Sequence, residues 1–158
     1  MTLAKHTQHF SDHVTQIERV GEFFVAICMT LLLGFFLAHQ TRNTGFFTDR
    51  FGTLEMILLY LPLLLALTDS LIQVITGHHQ LARLFEIASG LLLSAAAVWF
   101  LNVFPFDFTH LADVMPEAVR FLFAWITNDI GKIVFVMQIF AGLLGAITAV
   151  RALLSTSK

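Results

Sequence analysis

Residues 53–76 read TLEMILLYLPLLLALTDSLIQVIT. As a helix this stretch rises about 36 Å, enough to cross a hydrocarbon core of about 30 Å. Its polar residues are few and ordered: Glu55, Pro62 and Asp69 recur at heptad spacing and share one face, and Gln73 lies one turn beyond Asp69. An apolar helix with a single polar stripe is a membrane span whose stripe turns away from lipid.

Three further stretches have the same character. Together the four predicted spans cover about residues 20–38, 53–76, 85–104 and 131–153. The composition agrees, since 57% of the 158 residues are hydrophobic and 13% charged. Soluble domains carry about 25% charged residues, and a water-soluble globule of this size has too much surface to hide so much apolar side chain. The fold class expected is all-α: a polytopic membrane four-helix bundle forming one domain over 1–158, working in the lipid bilayer.

Two surface elements are expected beside the spans. Leu3, Phe10, Val14 and Ile17 recur at helical spacing opposite Lys5, Asp12 and Arg19, which predicts an interfacial amphipathic helix over about 2–18. From Pro116 to Leu154 an unbroken helix would reach about 58 Å, so the chain must break, and Thr127-Asn128-Asp129 with Gly131 supplies the break. A short interfacial or re-entrant helix is therefore predicted over 116–126, with Phe121, Phe123 and Trp125 as anchors. Between them, Phe104-Pro105-Phe106-Asp107-Phe108 reads as an aromatic belt at the headgroup boundary.

A polar N-terminal stretch and the lack of a small residue at the −3 position of Phe36-Leu37-Ala38 argue against signal-peptide cleavage. Lys5, Arg19, Arg83, Arg151 and Lys158 fall on one side and Arg42, Arg50, Arg120 and Lys132 on the other, a slight lean towards cytoplasmic termini in an inner or plasma membrane. Arg19-x-x-Glu22 and Arg83-x-x-Glu86 open the first and third spans alike, a faint echo of duplication.

Nine Lys+Arg against 11 Asp+Glu leave no basic field, which excludes nucleic acid as a partner. The single cysteine, Cys28, can form neither an intramolecular disulfide nor a cysteine metal cluster. No catalytic triad, phosphate-binding glycine loop or zinc-protease helix is present, so no enzyme activity and no cofactor are expected.

Charge in hydrocarbon is costly and normally marks a partner or a water path. Asp69 lies about 10 Å inside the second span counted from Thr76. With Thr68, Ser70 and Gln73, and with Glu55 and Glu86 along the route, it is the candidate ion path or, alternatively, a buried polar network fixing the bundle. Glu55 and Lys132 enter from the same side at similar depth and form a candidate rim ion pair, joined by Asn102 or His39. His6, His9 and His13 share one face of the N-terminal helix as a candidate pH-responsive or metal-binding face. His39, His78, His79 and His110 fall at span ends, where headgroups and water would meet them rather than haem. Ala141, Gly145 and Ala149, with Gly142 and Ala146 beside them, are the candidate packing face of the fourth span.

These features point to a non-enzymatic subunit of a membrane assembly, either a homo-oligomer or a partner of other membrane subunits. The alternatives are a homo-oligomeric cation or proton channel lined by the Glu55/Asp69 face, and a haem- or quinone-binding membrane anchor.

Overall fold

The computed structural model describes residues 16–76 and 79–156, without the side chains of 79–82 and 156. Four long helices account for most of them: α1 (Gln16–Arg42), α2 (Thr53–Thr76), α3 (His79–Val103) and α5 (Asn128–Thr156). A 3-10 turn (Phe108–His110) and the one-turn helix α4 (Glu117–Arg120) lie between α3 and α5. No strand occurs among the described residues, and all four long helices are long and apolar enough to cross a membrane. The chain is thus a multi-pass, all-helical protein by the length and composition of its helices.

The second span falls where the sequence puts it, at 53–76. The first and fourth run longer at both ends and the third at its start, because polar residues such as Arg42 and Asn128 extend a helix beyond the hydrocarbon without cost. Residues 16–19 continue into α1 without a break, and the rest of the expected interfacial helix, with His6, His9 and His13, lies outside the described residues.

The 116–126 segment differs from a continuous helix. Only Glu117–Arg120 is α-helical, and the chain then turns on bonds such as Leu122 N–H to Val119 O and Ile126 N–H to Phe123 O, each 3.0 Å. Side chains three apart eclipse one another in this geometry. Phe123 and Ile126 therefore both press on the core while Phe121, Leu122 and Trp125 stay exposed.

The helices stand in an open row. α1 packs on α2, α2 on α3 and α3 on α5, while α1 and α5 at the two edges do not pack on each other. The tightest crossing is α3 against α5. A Cβ on Gly90 would stand 2.7 Å from the Gly142 carbonyl oxygen, and the Ser94 hydroxyl donates across the crossing to Ile139 O at 3.1 Å. The α5 face that meets α3 is Gly142, Ala146 and Ala149, one register step from the expected set: Ala149 belongs to it, Ala141 is exposed, and a Cβ on Gly145 would touch nothing. Small residues occur on both faces of this segment, and the face opposite Ser94 and Gly90 is the one that lets the backbones approach.

At one end the row is closed by aromatic side chains. α1 ends at Asn43, which adopts the left-handed conformation (φ 47°), and Gly45 follows at φ 92° with the His110 ring 3.1 Å from where a Cβ would stand. The loop this turn launches pairs with the chain after α3: Asp107 N–H donates to Phe46 O (2.7 Å) and Thr48 N–H to Pro105 O (3.0 Å). Phe46, 1% exposed, sits among Phe36, Phe47, Phe106 and Phe108 with ring centroids 5.0–6.1 Å apart. These are the offset and edge-to-face separations that aromatic rings favour.

Substituting Gly142→Leu should push α3 and α5 apart and cost about 3 kcal/mol, the upper end for overpacking. The thermal unfolding midpoint of the solubilised protein should fall accordingly.

Candidate functional site

The polar residues separate into two groups at opposite ends of the helices. In the first, the Ser70 hydroxyl on α2 donates to Glu22 Oε2 on α1 (2.8 Å), and Gln73 Nε2 donates to Asp69 Oδ1 (3.2 Å). Glu22 and Glu86 lie within electrostatic reach of Asp69. Thr68 turns back to its own helix, donating to Leu64 O at 2.8 Å. Arg83 reaches α5 instead of Asp69, donating to Ala152 O at 3.3 Å. Among the described residues no three His, Cys, Asp or Glu side chains stand close enough to hold a metal ion.

Glu22, which with Arg19 opens the first span, is the partner that joins α1 to α2. The antiparallel register carries the signal: Glu22 lies six residues inside the start of α1 and Ser70 six inside the end of α2. Hairpin partners at equal depth meet.

Glu55, at the other end, does not belong to this network. Its carboxylate accepts from Gly52 N–H (3.0 Å), the reciprocal half of a capping box, and from Trp99 Nε1 on α3 (2.8 Å). The expected Glu55–Lys132 pair is replaced by local partners: Lys132 Nζ lies 3.1 Å from Asp129 Oδ1 one turn away and over the Phe104 ring. Asn102 donates to Val98 O rather than bridging them.

His39 is also not a headgroup residue. α1 runs on to Arg42, which carries His39 into the aromatic end, where it is 1% exposed with the Phe35 and Phe46 rings each 4.6 Å away. Nε2 lies 3.2 Å from the Leu111 carbonyl, which can only accept, so Nε2–H donates and the neutral ring's Nδ1 accepts from the Thr44 hydroxyl at 2.6 Å. The ring therefore ties the end of α1 to the loop after α3. On the same loop Asp107 caps the 3-10 turn, and hydrogen bonds from the Thr109 hydroxyl, then the Thr109 N–H and Asn128, hold its carboxyl below the usual carboxylate range.

Below the aromatic end, where α1 and α5 stand apart, lies a cavity of about 670 Å³. α2 and α3 form its back with Leu59, Leu63 and Leu93, and Phe46, Phe106 and Phe108 roof it. α1 contributes residues from Cys28 to Phe36, and α5 contributes Val134, Phe135 and Gln138. Among the described residues no acidic or basic side chain lines it. Gln138 carries the one side-chain amide in the wall, and the described residues give that amide no hydrogen-bond partner. Sequence reading passed over this place because no single span reveals a gap; it is a property of which helices fail to meet.

Compared with known proteins, the chain matches no family model, no curated protein and no solved structure.

Because the Asp107 carboxyl is held low, it stabilises the folded loop above the ordinary carboxylate pKa, and that contribution disappears as pH falls through the lower folded value. Asp107→Ala should be destabilised at pH 7 by about 1 kcal/mol. The gap from the native protein should narrow in unfolding measured as the pH is lowered below the ordinary carboxylate range.

Proposed function

We propose that this chain is a non-enzymatic integral membrane protein that works as a subunit of a membrane assembly and takes an apolar molecule from the bilayer between α1 and α5. The observation that carries this reading is the cavity itself. Its 670 Å³ lies within the roughly 300–1,000 Å³ of small-molecule sites, it is walled by all four long helices, and it is reached sideways where α1 and α5 do not pack. Apart from the Cys28 thiol, the described wall carries no group suited to acid–base or nucleophilic chemistry, which favours holding a molecule over acting on it.

The assembly part of the reading rests on what each edge of the row leaves over. Only 6% of the apolar stretch of α1 is buried within the chain, against 22–28% in the other three spans. α5 presents Ala141 and Gly145 outward, away from α3. Small residues on a free helix face favour close approach of another helix in lipid. The channel alternative draws less support, because the polar stripe of α2 is turned into the chain: Glu55 meets α3, Ser70 meets α1, and Pro62 is fully buried.

Native mass spectrometry of the gently solubilised particle tests both parts. The expected result is a complex of more than one chain, each carrying one apolar adduct. Val134→Trp, which places a bulky ring at the cavity wall, should remove at least nine-tenths of the adduct without changing the unfolding temperature. A bare monomer, or an adduct indifferent to Val134→Trp, would overturn the reading.

A further inference from the structure

Gln138 lies six residues beyond Lys132 on α5, a rise of about 9 Å, which places its amide inside the hydrocarbon core. An amide at that depth has no water to bond, and leaving it unpaired is unfavourable. It lines the cavity without a partner among the described residues. The occupant must therefore bring an oxygen about 9 Å into the hydrocarbon.

That requirement is selective. Phospholipids, fatty acids and sterols are held by polar heads at the interface, so their oxygens stay about 15 Å from the midplane. A neutral molecule with no headgroup is not so tethered. The wall adds a second preference, for flat rings: Phe135, one turn before Gln138 on the same face, packs beside Phe100 with centroids 5.6 Å apart, and Phe35, Phe36 and Phe46 continue the aromatic surface towards the roof. The opening between α1 and α5 leaves room for a long apolar tail to trail into lipid.

Building on the ligand-holding reading above, we infer that the cavity binds an isoprenoid quinone, whose ring carbonyl accepts a hydrogen bond from the Gln138 side-chain amide within the hydrocarbon core. The one redox-active side chain among the described residues of the wall is the Cys28 thiol, and the inference is of binding alone.

The test uses the full chain in phosphatidylcholine nanodiscs free of quinone, titrated with a decyl-substituted benzoquinone and with decylbenzene, which has the same tail and a ring without oxygen. The native protein should bind the quinone at least tenfold more tightly. Gln138→Leu should bring the two probes within twofold of each other while leaving decylbenzene binding and the unfolding temperature unchanged, and Val134→Trp should abolish binding of both. If the native protein binds both probes equally, or Gln138→Leu keeps the preference for quinone, the inference fails while the apolar cavity reading stands. If neither probe binds the native protein, both fail together.

Discussion

Phe46 and the rings around it hold shut what the helices alone leave open. α1 touches only α2, and in lipid no hydrophobic force presses it towards α5, since hydrocarbon tails solvate its leucines and phenylalanines as well as protein does. What fixes its end is a set of specific contacts: aromatic packing about Phe46, the backbone pairing of 46–48 with 105–107, and His39 bonded to Leu111 and Thr44. Each is a directional interaction that remains favourable where burial of apolar area counts for little. At the opposite end the described residues link α1 to α2 by the bond from Ser70 to Glu22. The cavity lies between these two unequal ties, and its shape follows from them.

The contrast between the two edges has a simple steric origin. α5 meets α3 through Gly142, Ala146 and Ala149, whose small side chains let Ser94 reach a backbone carbonyl. α1 offers Leu31, Leu32, Phe35 and Phe36 on the side towards α5, and such residues keep a neighbouring helix at a distance. The gap is thus written in side-chain volume along two helices that are far apart in sequence.

Much of this was legible beforehand and some was not, for reasons that can be named. Residues 53–76 were delimited correctly because Gly52 and the polar end near Thr76 bound a continuous apolar run. The polar stripe of Glu55, Asp69 and Gln73 was legible as inward-facing, since helical spacing fixes a face. Partner choice was not: Glu55 found Trp99 and Lys132 found Asp129 because local and cross-helix donors at equal depth compete, and one sequence does not rank them. The small-residue face slipped by one position for the same reason, as Gly142 and Gly145 are equally small and only the position of Ser94 on α3 chooses between them. His39 was misplaced through the end of its helix, because a His four residues before a left-handed Asn43 lies inside the last turns rather than beyond them.

The bond between His39 and Leu111 spans 72 residues of chain. During synthesis the first two spans can enter the bilayer and pair as a hairpin before that carbonyl exists, so the lipid-exposed first helix stays unanchored at its far end until the third span and its trailing loop have emerged. The last span then completes the wall. The tie at the far end of the first helix can therefore close only once residues 104–111 are in place, so where α1 ends is set by chain made 72 residues later.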